Sequence, residues 1–561
     1  MVHAEKIYHE GRDIMKKALE KVLATGMVIS MLVGVTGCGK NDTSGSAIGM
    51  TEDGIKSITT TMTTESGTVD SAGNASYWWW WYTSVATAPL VELAEDGSYK
   101  NILAESYEVN DDMTQYTFHL KADAKWNNGD DVTSADFVNT MTRALDPDCG
   151  NGYSAMLFCI VGASDIYNDG ADVSTLGVET PDDKTLIFDL VEPTAYFMDL
   201  LTLPVFIPTH RELQTETNGP WSMGEDMDKL VSCGPFYMAE YAPNQYCLYK
   251  KNESYVLADE IHLDEIKMLE MEDTQAKISA YKTGELDIAE ADYTVLDEYE
   301  GSDELVKYVA TTSNYELFDV TKPPFDDVRV REAFSISIDR AAVAAACGTN
   351  YIPSTFFVGT GVISKASGKT WEEEAGGPLL TYDVDKAKEL LAEAGYPDGA
   401  GFPTVTYKYP STQIESDIAQ ALQAQWKENL GIEVQLEAQE TQVNISDRRA
   451  GDFDICRMQW TADFIDPYTY LSMYRTTDSY NDNHTDCPEY DDLMAQSNKE
   501  SDPVKRYELL HDAEKVLVSE YFWAVPVLNR ETIMLMNSKL TNRIVDPSRG
   551  NIRIKYLDIA Q

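Results

Sequence analysis

Phe453-Asp454-Ile455-Cys456-Arg457-Met458-Gln459-Trp460-Thr461-Ala462-Asp463-Phe464-Ile465-Asp466-Pro467 is the stretch around which the chain is organised. Phe453 to Met458 alternates enough to read as a buried strand, with Arg457 inside it. Trp460, Asp463 and Asp466-Pro467 follow, in what reads as the loop leaving that strand. Charges at a buried strand end need partners. Two arrangements supply them. One is an internal Arg–Asp ion pair with a packed Trp. The other is a ligand clamp: a cation for one end of a ligand, an anion for the other, and an aromatic wall between. Residue types alone leave both open.

The surroundings narrow the choice of function. A chain of 561 residues has room for two to four domains and a sizeable core. Its 94 acidic and 44 basic residues give a formal net charge of −50, which argues against nucleic acid as a partner. There is no C-x-x-C and no H-E-x-x-H, and the seven His are scattered, so no dedicated metal site is expected. No nucleophile elbow, Ser-x-x-Lys set or P-loop is present either. Acidic pairs such as Asp326/Asp327 and Asp463/Asp466 are unremarkable in so acidic a chain, and give little support to a hydrolase.

The beginning reads as an address. Met15-Lys16-Lys17 with Lys21 forms a basic region, and Val22 to Val35 an apolar one too short to span a bilayer. Met15 is the better initiator. Leu32-Val33-Gly34-Val35-Thr36-Gly37-Cys38 resembles a bacterial lipobox, which makes Cys38 the expected site of lipidation. Residues 39–54, rich in Gly, Ser, Thr and Asn, read as a flexible tether. Of the cysteines beyond Cys38, Cys149/Cys159 and Cys233/Cys247 are close enough in sequence to pair in an oxidising location.

Beyond the tether, strands and helices alternate, which predicts α/β units with a largely parallel sheet. Ile55 to Thr64 reads as the first strand. Tyr77-Trp78-Trp79-Trp80-Trp81-Tyr82 is too long an aromatic run to face one core, so some of Trp79, Trp81 and Tyr82 are candidates to line a cleft. Thr133 with Asp136 starts a helix that runs to about Leu145. A hairpin turns at Ala242-Pro243-Asn244, and one helix runs from Asp326 through Arg340. Asp383 caps Val384 to Ala394, and Ile414 to Leu430 is a long helix closed by Gly431.

Several of these segments together are similar to one family. Tyr116-Thr117-Phe118-His119-Leu120, Trp126-Asn127-Asn128-Gly129 and Thr133-Ser134-Ala135-Asp136-Phe137, then Arg143 and Asp146-Pro147, resemble the signature of the family 5 solute-binding proteins of ABC transporters. Gly234-Pro235-Phe236, Gly284-Glu285-Leu286-Asp287, Lys322 to Phe334, Ile338-Asp339-Arg340 and Trp460 to Pro467 continue it in order. Near the front the chain departs from the common Leu-Asp-Pro: Asp70 stands in Thr68-Val69-Asp70-Ser71.

The resemblance implies the type II periplasmic-binding α/β fold, with two lobes, an interlobe cleft, a hinge and an extra domain inserted in the first lobe. On that pattern residues 55–96, 225–310 and 525–561 form the first lobe, 97–224 the inserted domain and 311–524 the second lobe, with crossings at 310 and 525. It implies a monomeric receptor without catalysis or cofactor. That receptor captures oligopeptides and delivers them to an ABC permease, anchored by its lipid to the outer face of the cell membrane. An oligosaccharide or other small solute is the alternative ligand. Asp463 would receive the ligand's α-ammonium, Arg457 a carboxylate, and Trp460 would form an apolar wall.

Overall fold

The computed structural model describes residues 49–50, 54–62, 69–73, 85–94, 96–211, 230–348, 350–478, 480–546 and 551–560. The aromatic run Tyr77 to Tyr82, Cys38 and the tether up to residue 48 lie outside the described residues, so the expectations placed on Trp79, Trp81, Tyr82 and Cys38 are not addressed by it.

Three sheets carry the fold. The first orders its strands Gly49–Met50, Lys56–Met62, Glu265–Glu270, Tyr246–Lys251 and Phe236–Ala242. The hairpin between the last two turns at Pro243-Asn244, with Asn244 at φ 56, the left-handed conformation that Asn tolerates in a tight turn. The second is a four-stranded antiparallel sheet ordered Ala104–Val109, Gln115–Leu120, Thr185–Asp189 and Val178–Asp182. The third has seven strands. Ile288–Ala291, Ala524–Met536, Leu305–Phe318, Ile455–Thr461, Thr406–Pro410 and Gln435–Gln439 lie in that order, and Tyr351–Pro353 pairs with Ala524–Met536.

The largely parallel sheet is a wrong expectation. Parallel pairing needs a crossover, and in the third sheet only Thr406–Pro410 pairs in parallel, with Gln435–Gln439 and with Ile455–Thr461. There the helices Gln413–Leu430 and Thr441–Arg449 make the return. The sheet is otherwise built on two long strands, Leu305–Phe318 and Ala524–Met536, which run antiparallel along most of their length. Their register is interrupted between Val309 and Ser313. A loop packs tightly onto this interruption. A Cβ on Gly361 would lie 2.7 Å from the Val309 carbonyl oxygen, and one on Gly359 would lie 3.1 Å from the Thr311 carbonyl carbon.

Local signals set most element starts. Thr133 and Asp136 form a reciprocal capping box on Ser134–Ala144. Asp383 accepts from the Lys386 amide to start Val384–Glu393, and Gly431, at φ 73, closes Gln413–Leu430. The expected single helix from Asp326 through Arg340 is two helices, Val328–Ile336 and Arg340–Cys347. The second Asp explains the break: the Asp339 side chain accepts from the Ala342 amide, so it caps a new helix instead of continuing the old one.

Family-signature residues serve these frameworks. The Trp126 indole donates to Asp136, and Arg143 donates two hydrogen bonds to the buried Asp70 carboxylate, at 3.0 and 2.5 Å. The departure from Leu-Asp-Pro therefore still has its Asp in a structural pair. The cysteine pairings are not formed: Cys159 and Cys233 are free thiols.

Candidate functional site

The strand Ile455–Thr461 pairs antiparallel with Leu305–Phe318, setting Thr461 opposite Thr312, Gln459 opposite Asn314 and Arg457 opposite Glu316. Facing residues of an antiparallel pair share a sheet face, and alternate residues along a strand repeat it. One face therefore carries the polar row Thr461/Thr312, Gln459/Asn314 and Arg457/Glu316. Gln459 and Thr461 are exposed, whereas Arg457 and Glu316 are fully buried. Trp460 belongs to this strand, not to the loop after it as its sequence suggests.

Asp463 follows directly. It is half-buried, and among the described residues no basic side chain lies within ion-pair distance of it. Its Oδ1 accepts from the Tyr153 hydroxyl at 3.2 Å, and its backbone N–H donates to Thr469 Oγ at 3.4 Å. Burial pushes the Asp463 carboxyl up to about 6, and the Tyr153 hydrogen bond pulls it part of the way back. Tyr153 was not found by sequence reading. It lies 310 residues from Asp463, and no local pattern marks it.

The loop that presents Asp463 is rigidly held. Asp466 accepts two hydrogen bonds of 2.7 Å from Arg506, a bidentate pair in which both groups are buried. Tyr196 stacks on Phe464 at 5.1 Å and on Tyr468 at 4.4 Å between ring centroids. Close by in the same framework, Lys365 donates to Asp199 and, at 2.9 Å, to the Tyr99 hydroxyl.

Arg457 has other partners than those the stretch itself offers. Its guanidinium donates to Glu316 at 3.0 Å, to Glu415 at 2.6 Å and to Asn314 at 3.1 Å. Its side chain is 1% exposed, against 12% for Glu415. Burial opposes the charge of Arg457, but Glu415 and Glu316 outweigh it and hold the guanidinium protonated. Burial pushes the Glu316 carboxyl up to about 7. The internal Arg–Asp pair is thus not formed. Arg457 is internal but bound to glutamates, Asp466 is bound to Arg506, and Asp463 keeps no cation among the described residues.

Trp460 packs edge-to-face on Tyr480, with ring centroids 5.0 Å apart, and its buried indole N–H has no hydrogen-bond partner among the described residues. Tyr480 also lines a cavity of about 570 Å³ together with Ala155, Arg449, Asp478, Asp482 and His484. Ala155 stands two residues after Tyr153 in the chain. A half-buried carboxylate with no cation among the described residues is suited to a cationic group.

The family model of the middle region of family 5 bacterial extracellular solute-binding proteins matches residues 98–482. The dipeptide-binding protein DppE of Bacillus subtilis (strain 168) is 29% identical over 472 residues, 84% of this chain and 86% of the relative. The probable deoxycholate-binding periplasmic protein YgiS of Escherichia coli (strain K12) is 30% identical over 452 residues, 80% of this chain and 83% of the relative. Among solved structures, the unliganded open form of the periplasmic murein tripeptide-binding protein MppA is similar with a TM-score of 0.75 at 25% identity. That likeness covers 90% of this chain and 97% of the other. The architecture is accordingly that of the two-lobed periplasmic peptide-binding proteins. Since the match to the family model takes in well over half of its length, the chain belongs to the family 5 bacterial extracellular solute-binding proteins.

Proposed function

We propose that this protein is a receptor that captures peptides by their free amino terminus and delivers them to an ABC import permease. The observation that carries the reading is Asp463, a half-buried carboxylate whose side chain has the Tyr153 hydroxyl as its donor. A carboxylate kept in that state is completed by a ligand ammonium, and Tyr153 then holds the second oxygen position in place. Trp460, at the end of the same strand, supplies an apolar wall. The names of the peptide-binding relatives support the ligand class.

In this reading residues 55–96, 225–310 and 525–561 form the first lobe, 97–224 its inserted domain and 311–524 the second lobe. The crossing strands form the hinge, a role supported by the interrupted register between Val309 and Ser313. Cys38 carries the lipid that tethers a monomeric receptor to the outer face of the membrane. Among the described residues no helix is long and apolar enough to cross a membrane. Trp79, Trp81 and Tyr82 are the further candidates for ligand contact in this reading. The receptor performs no catalysis.

A second reading keeps the receptor and changes the ligand to another small solute, such as an oligosaccharide. A relative named for deoxycholate binding favours keeping it. Thermal-shift panels separate the two. Stabilisation by millimolar peptides, lost in Asp463→Ala, is the expected result. Stabilisation by a sugar or bile acid with none by any peptide would replace the peptide reading.

A further inference from the structure

Residues 97–224 and 311–524 meet at more than the Asp463 loop. Besides the Tyr153–Asp463 hydrogen bond and the Tyr196 stack, Lys365 reaches from the second of these segments to Asp199 and Tyr99 of the first. Its ammonium pairs with the Asp199 carboxylate and donates to the Tyr99 hydroxyl at 2.9 Å. The Asp199 side chain is 2% exposed and that of Lys365 18%, so little water screens the pair. The hydrogen bonds that hold Asp463, from Tyr153 and to Thr469, involve neither residue.

Both sides present the pair on well-held backbone. Asp199 lies in the short helix Phe197–Leu200, whose other residues are buried too. Lys365 lies in a turn closed by a bridge between Ile363 and Thr370. There the Ser364 amide donates to the Lys369 carbonyl at 2.8 Å, and the Ser364 hydroxyl to Glu374 at 2.8 Å. Lys365 also favours the charge of Asp466, but Arg506 already holds that carboxylate in a bidentate pair, which leaves Asp199 for Lys365. The same turn continues the loop that packs, at Gly359 and Gly361, onto the interrupted register of Leu305–Phe318. In the two-lobe reading that strand is a crossing strand, so the pair joins the inserted domain to the second lobe on a loop that borders the hinge.

We propose that Lys365, with Asp199 and Tyr99, is a tie between the lobes that sets how far the receptor opens. Lys365 is a positioning residue: it acts on the balance between joined and open forms and not on the ligand. A ligand held by both lobes binds in proportion to the fraction of molecules in the joined form. Loosening the tie therefore weakens different ligands by the same factor and leaves the preference among them alone. The proposal rests on the two-lobe reading and deepens it.

The test compares the wild type with Asp199→Asn, Lys365→Met and the double variant. Small-angle scattering gives the radius of gyration of each without ligand. Calorimetry gives its affinity for a degenerate hexapeptide library with a free amino terminus and for the acetylated form of that library. The radius is expected to rise in all three variants, and the affinity for the free-amine library to fall about fivefold, with the free-to-acetylated ratio unchanged. The double variant leaves no unpaired charge buried, so it should recover the melting temperature that the single variants lose, yet stay as open as they are. A double variant with the wild-type radius and affinity would overturn the proposal, since a merely structural pair gives that result. A change in the free-to-acetylated ratio without a change in radius would overturn it as well. Should the single variants not fold, the double variant decides; should neither library bind, the radius without ligand decides. A wild-type radius that the bound library leaves unchanged would remove the two-lobe reading itself, and the proposal with it.

Discussion

A half-buried carboxylate that accepts from the Tyr153 hydroxyl makes Asp463 costly to the empty protein. Burial raises its pKa from the ordinary 3.8 to about 6. The folded state thus holds the extra proton between roughly pH 4 and pH 6, so stability falls as pH rises through that window and the loss is complete above it. Asp463→Asn should therefore raise the unfolding free energy of the empty protein by up to about 2 kcal/mol at pH 7.5 and leave it unchanged near pH 4. Urea melts at the two pH values check this. An ammonium ligand needs the ionised form, so its affinity should drop about tenfold from pH 7 to pH 5, and this drop should disappear in Asp463→Asn. Tyr153→Phe removes the hydroxyl donor to Asp463 and should weaken an amino-terminal ligand about threefold to tenfold, as measured by calorimetry. At this scale the sequence was legible in part. Asp463 and Trp460 could be singled out because they lie in one short stretch with Arg457. The fates of the charges could not, because Glu316, Glu415, Arg506 and Tyr153 come from distant segments, and only the folded sheet decides which acid meets which base.

The strand Ile455–Thr461 and its partner Leu305–Phe318 form the element on which the site is built. Arg457 is its internal strut, and replacing it by Ala leaves Glu316 buried against Glu415 with no cation between them. Breaking a buried pair from one side costs about 3–5 kcal/mol. Arg457→Ala is expected to lose stability of that order, and the double variant Arg457→Met with Glu316→Gln to recover most of it in denaturant melts. Gly361 has a comparable role at the interrupted register. Any Cβ there meets the Val309 carbonyl oxygen at 2.7 Å, so Gly361→Ala should displace the loop and cost about 1–3 kcal/mol. Element starts were readable wherever a side chain satisfies a helix end locally, as at Thr133, Asp383 and Gly431. Parallel or antiparallel pairing was not readable, because a long strand that returns beside another after more than two hundred residues leaves no local trace. Asp339 shows the limit of periodicity: the apolar pattern runs through it, while its side chain caps a new helix.

At the scale of the whole molecule, the three sheets bring segments from the front, the middle and the end of the chain to one site. Tyr153 and Tyr196 reach the Asp463 loop from the segment that holds the four-stranded sheet, and Arg506 holds that loop from behind. The solute-binding family was recognisable largely from motifs that prove structural: Trp126, Asp136 and Arg143 cap, brace and pair. A receptor of this design should change shape on binding, and ligand should lower its radius of gyration in small-angle scattering. The central claim, that the protein holds a peptide by its free amino terminus at Asp463, is tested most directly by isothermal titration of one hexapeptide library in two forms. With the far end amidated in both, one form keeps its amino terminus free and the other has it acetylated. The account predicts that the free-amine library binds at least a hundredfold more tightly, and that Asp463→Asn brings the two to the same weak affinity. Equal binding of both forms by the wild-type protein would contradict it.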